Sequence, residues 1–233
     1  MYIKNTKIKQ GYRMLFMFFC LMGMVLQYSN TVILRGNIKM LSAYYTMLTN
    51  MLCFVYFGYL IVMTPKTENP LIKGAIVMSI VLTGLGYHLL LNGAMEQGVG
   101  AVQKVTAADV VANQMVHTVV PLMSVLDYFL FTPKGDYKWY YPFTWLVIPF
   151  LYAIFIFIRA EASSEMFLGF NGKSRFPYPF LDVDTFGVGK IILMLLGLLV
   201  LYLALSYISY GVDKLLKYIY GKYSAKRGIP IED

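Results

Sequence analysis

Six apolar segments, each about as long as a bilayer is thick, constrain this chain more than any other feature. They cover roughly residues 12–34, 41–64, 71–92, 108–131, 140–159 and 187–211. A helix needs about 20 apolar residues to cross the hydrocarbon core, and it satisfies its own backbone hydrogen bonds in lipid. The sequence therefore predicts an all-α, polytopic membrane protein, with residues 1–233 forming a single six-transmembrane-helix bundle.

The composition agrees with lipid as the solvent. Only 14% of the residues are charged and 58% are hydrophobic, whereas a soluble domain has about 25% charged residues. The net charge of +8 would also suit a nucleic-acid partner, but no recognition motif is present. The excess charge clusters at the termini and short loops, as it does in membrane proteins. We therefore expect membrane lipids, and no nucleic acid, as partners.

The distribution of lysine and arginine predicts the orientation of the bundle. Thirteen of the 20 lie in the termini and in the loops after the second and fourth segments, and six lie in the opposite loops. Positive residues concentrate on the cytoplasmic side, so both termini are expected there and loops 92–107 and 160–186 face outward. The first segment follows a basic stretch, as a signal peptide does, but it is long enough to span and we expect it to be retained.

The fourth segment has polar residues along one helical face. Spacings of i, i+4, i+8 and i+11 form a stripe that comprises Asn113, His117, Pro121 and Ser124. Lipid penalises such groups, so the stripe is expected to face the bundle interior. Pro121 has no N–H, which predicts a kink and a free His117 carbonyl at a cavity. A packing kink with a satisfied histidine is the alternative.

Polar residues of three segments are expected at similar depth in the outer half of the bundle. Counting about 1.5 Å per residue brings Thr49, His88 and His117 to one level. Thr49 and His117 then form a candidate nucleophile and base, with Tyr45, His88 and Asn113 as candidate oxyanion donors. However, a threonine in a span usually bonds to a carbonyl one turn earlier. His88 has an equally simple alternative, a hydrogen bond across a close helix contact.

Two carboxylates are candidates for supporting roles. Asp127 lies about 15 Å along the helix from His117, too far for a triad contact. It is expected to pair with Lys134 or Lys138, or to anchor the helix end. Asp182, in the outer loop "FPYPFLDVDTFG", is expected to belong to a lid over the cavity in which a carboxylate orients a histidine; capping of the sixth helix by Asp184 or Thr185 is the alternative. No metal or cofactor is expected, because two histidines without a carboxylate set make a weak zinc site.

Three motifs resemble those of the androgen-induced protein family. They are "MLTNML" in the second segment, "HTVVPLMSVLD" in the fourth and "YPFLD" at 178–182. The family comprises six-helix membrane proteins that include threonine hydrolases of fatty-acid esters of hydroxy fatty acids, together with bacterial relatives. The resemblance covers about residues 12–212 and implies Thr49 as the nucleophile. "TGLGYHLLL" resembles the bacterial branch, which implies a bacterial plasma membrane. Pro121 lies one residue closer to the histidine than in animal members, and Asp127 stands where they have glutamate.

The leading hypothesis from the sequence is an intramembrane hydrolase of lipid esters. Thr49 would attack the ester carbonyl, and His117 would take its proton and protonate the leaving alcohol. Pro121, Ser124 and Asp127 would support the site structurally. One alternative is a transporter or channel for a small molecule or proton, since histidine and aspartate within a membrane also mark ion paths. Another is a non-catalytic lipid-binding protein whose polar residues only join helices.

Overall fold

The computed structural model describes residues 2–35, 41–91, 106–169 and 172–227. Within these ranges, six helices are long and apolar enough to cross a membrane. The prediction of an all-α, six-helix membrane protein is confirmed, and the helices fit a multi-pass integral protein. The location of the termini stays a prediction. Most of the predicted outer loop 92–107 lies outside the described residues.

The six long helices follow the predicted segments, with changed ends. They are α1 (Thr6–Arg35), α2 (Tyr45–Met63), α3 (Pro70–Gly86, continued as a π-helix over Tyr87–Leu91), α4 (Ala107–Gln114, π-helical over Met115–Val119 and α-helical again over Val120–Phe131), α5 (Val147–Ala162) and α6 (Val188–Arg227). The shorter elements are a helix at Tyr141–Thr144, antiparallel strands β1 (Phe167–Gly169) and β2 (Gly172–Ser174), a 3₁₀ turn at Pro179–Leu181 and a helix at Val183–Phe186.

Local sequence explains where α3 and α4 begin. The side chain of Asn69 accepts hydrogen bonds from the first backbone N–H groups of α3, and Pro70 occupies the first turn, where its missing N–H does no harm. Thr106 and Asp109 form a reciprocal capping box at the start of α4. Each cap satisfies N–H groups that have no partner within the helix. The two helices that contain the histidines are therefore fixed at these ends by their own sequence.

Both histidine-containing helices include a π-helical turn. In α4 the backbone N–H of Val120 bonds to the carbonyl of Met115, five residues earlier. This turn directly precedes Pro121, so the helix accommodates the proline and continues to Phe131. Gly84 of α3 packs against this point, because a Cβ added there would lie 2.9 Å from the carbonyl oxygen of His117. The predicted free carbonyl thus lies at a close contact between α3 and α4.

The first four helices form the main apolar core, whereas α5 and α6 keep most of their side chains exposed. Phe16, Cys20, Phe57 and Ile80 are fully buried in this core. Trp145, which lies just before α5, connects the exposed helices to α3 of this core. Its indole Nε1 donates to the carbonyl of Leu71 at 3.0 Å, and its ring packs so closely on Gly74 that a Cβ there would overlap it. Exposed apolar surface on α5 and α6 is what lipid-facing helices require.

A buried ionic cluster joins α1, α3 and α4. Asp127 accepts hydrogen bonds from Arg13, at 2.9 and 3.2 Å, and from Lys73. Glu68, in the loop before α3, accepts from Arg13 at 2.6 Å and from Lys73 at 2.7 Å. Burial disfavours the charge of Glu68, but Lys73 and Arg13 outweigh it and lower the pKa of this carboxyl. Two buried cations thus balance two anions within the protein, and the less buried Lys9 lies 3.7 Å from Glu68 at the edge of the cluster.

The predicted pairing of Asp127 with Lys134 or Lys138 is wrong. The ammonium of Lys134 instead donates to the carbonyl oxygens of Tyr128 and Thr132, at 2.6 Å each. Lysines that follow a helix reach its last carbonyls, whereas Asp127 points into the bundle and meets cations from other helices. Burial lowers the pKa of Lys134 to about 8. Asp127 does anchor its end of the helix, through partners far away in the sequence.

The last helix is much longer than a membrane span. At 40 residues and about 1.5 Å per residue, α6 is twice as long as the hydrocarbon core is thick, and it continues past the predicted end at residue 211. Asp213 explains how its second half is held. The carboxylate accepts from the Tyr128 hydroxyl at 2.7 Å and from the backbone N–H groups of Gly135 and Tyr137 at 2.8 and 3.1 Å. The loop after α4 is thereby attached to α6.

Candidate functional site

A cavity of about 880 Å³ lies between α2, α3, α5, α6 and the loop that joins α5 to α6, which is the loop predicted to face outward. This volume falls in the usual range of ligand pockets. Most of the lining is apolar and comes from α5 and α6. Among the described lining residues, the polar side-chain atoms are all hydroxyls, those of Tyr45, Thr46, Thr83, Tyr87, Tyr152, Tyr178 and Tyr202. Of these residues, Thr46 on α2 and Tyr87 on α3 contact the histidine on α4, His117.

Thr46 and His117 form a hydrogen bond at this wall of the cavity. Thr46 Oγ1 lies 3.1 Å from His117 Nε2, and Thr46 lines the cavity. His117 Nδ1 lies 3.1 Å from the carbonyl oxygen of Asn113. A carbonyl oxygen only accepts, so a neutral imidazole carries its proton on Nδ1 and Nε2 becomes the acceptor. Thr46 then donates to His117, which is the arrangement of a hydroxyl nucleophile and its base.

Neighbouring side chains hold this pair in place. The ring of Tyr87 stacks on the imidazole of His117, with centroids 4.0 Å apart and an interplanar angle of 19°. Asn50 donates from Nδ2 to the carbonyl of Thr46 at 2.8 Å and to that of Val116 at 3.2 Å. The amide thus ties the backbone beside the threonine to the backbone beside the histidine. His117 is only 8% exposed, so its environment is nearly dry.

Thr49 lies one turn further along α2 and makes different contacts. Its Oγ1 lies 2.9 Å from the carbonyl of Tyr45, 3.1 Å from that of Thr46 and 2.7 Å from Thr83 Oγ1. Its side chain is 1% exposed. Bonding to a carbonyl one turn earlier is the usual behaviour of a threonine inside a helix. Among the described residues, the hydroxyl bonded to His117 Nε2 is that of Thr46, and Thr49 joins α2 to α3.

Counting residues cannot distinguish the two threonines. The expected depth of Thr49 assumes a helix that begins at residue 41, where the second apolar segment starts, but α2 begins at Tyr45, after a turn in which Leu41 and Ala43 are buried. The distance from the start of the helix therefore does not measure depth in the bundle. Thr46 and Thr49 are three residues apart and lie on one side of the helix. Only the contact across to α4 identifies the partner of the histidine.

His88 and Asn113 have other partners than Thr46. His88 Nε2 lies 2.9 Å from Thr118 Oγ1, and the side chain is exposed. The Asn113 side chain accepts from Gln27 Nε2 at 2.6 Å, which joins α1 to α4. Within the described part of the chain, neither side chain lines the cavity. Asn113 contributes through its backbone carbonyl, as the group that orients His117.

Two phenol groups line the cavity on the same side as Thr46. The hydroxyl of Tyr45 lies near Ser79 without hydrogen-bond geometry to a described residue. The hydroxyl of Tyr178, from the outer loop, lies near the Thr46 side chain. Burial raises the pKa of Tyr178, so the phenol keeps its proton at neutral pH and can donate it. The sequence indicated Tyr178 only as part of the "YPFLD" run, and the fold supplies its proximity to Thr46.

The remaining predicted residues lie away from the Thr46–His117 pair. Ser124 is fully buried, and its hydroxyl has no hydrogen-bond partner among the described residues. Pro121 packs against Gly84, and Asp127 belongs to the ionic cluster. Asp182 bonds within its own loop, where it accepts from Ser174 Oγ at 2.8 Å and caps the short helix Val183–Phe186. These contacts join helices or order the loop.

The fold and the site together define a multi-pass helical membrane protein with a hydroxyl–imidazole pair at the wall of an apolar cavity. No set of three or more His, Cys, Asp or Glu side chains within the described ranges is arranged to hold a metal ion. A scan against protein-family models and searches of curated proteins and of solved structures find no match to this chain. Membership of the androgen-induced protein family stays a prediction from the three motifs.

Proposed function

We propose that the protein is an intramembrane hydrolase of lipid esters in which Thr46 is the nucleophile and His117 the base. The observation that carries this proposal is the hydrogen bond from Thr46 Oγ1 to His117 Nε2 at the wall of a large apolar cavity. The earlier hypothesis gave the nucleophile's role to Thr49. Thr46 is preferred because it combines contact with the base and access to the cavity.

The chemistry proceeds in two balanced steps. Thr46 Oγ attacks the ester carbonyl carbon while His117 Nε2 takes the hydroxyl proton, and the bond to the alcohol oxygen breaks as His117 returns the proton to it. Water then attacks the acyl-threonine, and its proton passes through His117 to Thr46 Oγ. The products are a carboxylic acid, an alcohol and the restored pair. The Asn113 carbonyl stabilises the protonated imidazole formed in each step, because it accepts from Nδ1.

The apolar lining supports a lipid as the substrate. Side chains of α5 and α6 such as Phe150, Phe157 and Leu195 surround most of the cavity, and each methylene buried among them contributes about 0.8 kcal/mol to binding. The motif resemblance is a second support, and it makes a fatty-acid ester of a hydroxy fatty acid and a bacterial plasma membrane part of the proposal. A lipid-binding protein without activity is the second candidate, because the same cavity suits it.

Labelling with a fluorophosphonate probe that has a lipid chain tests the proposal. The purified protein in detergent is compared with Thr46→Ala, Thr49→Ala and His117→Ala. We expect labelling of the wild type, loss of labelling in Thr46→Ala and His117→Ala, and labelling retained in Thr49→Ala, because only the Thr46 hydroxyl is bonded to the base. Melting temperatures are measured in parallel, since Thr49 joins two helices.

Two results would contradict the assignment. Labelling that survives Thr46→Ala but disappears in a folded Thr49→Ala protein would return the nucleophile to Thr49. A wild-type protein that binds lipid but is never labelled would support the lipid-binding candidate. Thr46→Ser serves as a positive control, because it keeps the hydroxyl and removes only a methyl group.

Tyr178 is expected to stabilise the oxyanion in this mechanism. Its hydroxyl lies near Thr46, and one such donor in a preorganised site is worth about 100- to 1,000-fold in kcat. Tyr178→Phe should therefore lower kcat for a chromogenic ester by at least about tenfold, with KM little changed. Tyr152→Phe is the matched control, because the Tyr152 hydroxyl also lines the cavity but donates to the Ala43 carbonyl at 3.0 Å. Equal kcat values for the two variants would remove Tyr178 from the mechanism.

A further inference from the structure

We infer that the cavity binds an uncharged lipid ester drawn from the bilayer, and that a substrate with an ionised carboxylate or phosphate inside it is disfavoured. This inference rests on the proposed function and narrows its substrate class. It also limits how the motif resemblance applies, since an ester of a hydroxy fatty acid has a free carboxylate.

The chemistry of the lining is the first observation. Every described residue that lines the cavity is either apolar or has a neutral hydroxyl. An ester has a carbonyl and no formal charge, so a lining of apolar side chains and neutral hydroxyls can accommodate it. An ionised carboxylate in the same position would lose its water without gaining a cation. Burying an unpaired ion costs several kcal/mol, which is more than a few methylenes recover.

Two arginines that flank the lining segments are engaged elsewhere, and Lys190, two residues before Ile192, is exposed and outside the described lining. Arg175 pairs with Asp184 at 2.7 Å and with Glu161 at 2.8 Å. Arg159 donates to the carbonyl oxygens of Arg175 and Glu165, at 3.1 and 3.3 Å, and its guanidinium lies over the ring of Phe167 at 4.4 Å. These arginines tie the outer loop to the end of α5. Neither lines the cavity among the described residues.

The outer side of the lining indicates where the ligand comes from. Phe150 and Ile158 of α5 and Leu196 of α6 line the cavity, yet they are 64%, 63% and 51% exposed. Side chains that are both lining and exposed stand at an opening. In a span, the surroundings of such residues are hydrocarbon. A lipid can therefore pass between α5 and α6 directly from the bilayer, which favours molecules that are already dissolved there without a charge.

A binding experiment separates charged from uncharged ligands without requiring hydrolysis. The probes are non-hydrolysable ether analogues of a palmitate ester of hydroxystearate, one with its carboxyl group free and one with that group as the primary amide. Both compete with a fluorescent neutral lipid for the full-length protein in nanodiscs at neutral pH. The amide is expected to bind at least about tenfold more tightly, which corresponds to about 1.4 kcal/mol. Equal binding, or tighter binding of the free acid, would overturn the inference.

Two matched variants place an arginine either inside the cavity lining or outside it. Leu196 lines the cavity, whereas Leu193, one turn earlier on α6, is 69% exposed and does not. Leu196→Arg is expected to reduce or reverse the preference for the amide, because the guanidinium pairs with the carboxylate. Leu193→Arg adds the same charge outside the cavity and should keep the wild-type preference. A reversal in both variants would assign the effect to overall charge and contradict the inference.

The two proposals fail in different ways. Selective binding of the amide without hydrolysis of any ester would support the inference of an uncharged ligand and contradict the proposed hydrolase function. Hydrolysis of ester substrates with equal binding of both analogues would support the proposed hydrolase function and contradict the inference of an uncharged ligand. Should Leu196→Arg fail to fold, the comparison of the two analogues on the wild-type protein decides alone.

Discussion

His117→Gln is expected to lower kcat for ester hydrolysis by about 100- to 10,000-fold, the usual contribution of a general base. Glutamine still reaches Thr46 with a hydrogen bond, so the side-chain contact between α2 and α4 is kept. It cannot take the hydroxyl proton at neutral pH, so the threonine is no longer activated. KM should change little, because the cavity lining does not include His117 among the described residues. The measurement is steady-state hydrolysis of a chromogenic ester in detergent micelles.

The chain provides a matched control in its other histidine. His88 also bonds to a threonine hydroxyl, Thr118, at 2.9 Å, but its side chain is exposed and outside the described cavity lining. His88→Gln should therefore hydrolyse the ester at close to the wild-type rate. If His88→Gln lost activity and His117→Gln kept it, the chemistry would belong to the His88–Thr118 pair, and the proposed role of His117 would be contradicted.

Asp127→Ala is expected to have the largest effect on stability, a loss of about 3–5 kcal/mol in the free energy of unfolding. The substitution leaves Arg13 and Lys73 buried with one carboxylate, Glu68, between them. An uncompensated charge inside the protein is much more costly than a missing surface ion pair. The measurement is reversible unfolding in mixed micelles with increasing denaturing detergent. Asp136→Ala is the control, since Asp136 is exposed and should change stability by at most about 0.5 kcal/mol.

The same cluster predicts a loss of stability in acid. The pKa of Glu68 is lower in the folded protein than its ordinary value, so the folded state binds fewer protons than the unfolded chain. Its contribution is fully present above about pH 4.3, the ordinary pKa of glutamate, and is lost as the pH falls through the lowered value. If the ionic cluster did not contribute to stability, Asp127→Ala and the wild type would have the same free energy of unfolding at neutral pH.

The sequence predicts the six helices well, but it predicts the side-chain contacts between them less well. Six apolar segments predict six helices because each segment must satisfy its own backbone hydrogen bonds in lipid. The extension of α6 was missed because its second half is rich in lysine and is held by Asp213 rather than by apolar burial. Spacing grouped Asn113, His117, Pro121 and Ser124, and all four are at least partly buried.

Contacts between distant segments could not be predicted in the same way. The ionic cluster brings together Arg13, Glu68, Lys73 and Asp127, and nothing in their spacing pairs them. The partner of His117 depends on the angle at which α2 and α4 meet, which a count of residues does not contain. Sequence reasoning therefore identified His117 and the right turn of α2, and the fold was needed to select the hydroxyl that bonds to the imidazole.

The π-helical turns make the number of residues in the chain part of the site. A π turn closes its hydrogen bond over five residues rather than four, so each turn accommodates one residue more than a regular α-helix at that point. Deleting a single residue between Met115 and Val119 would restore α geometry, and the helix before and after the turn would keep its orientation because the turn already absorbs the extra residue. Residues inside the turn would shift by up to one position, which is about 100° around the helix, so the imidazole of His117 would no longer reach both Thr46 and the Asn113 carbonyl. An insertion or deletion here would disable the pair even with every side chain of the site retained.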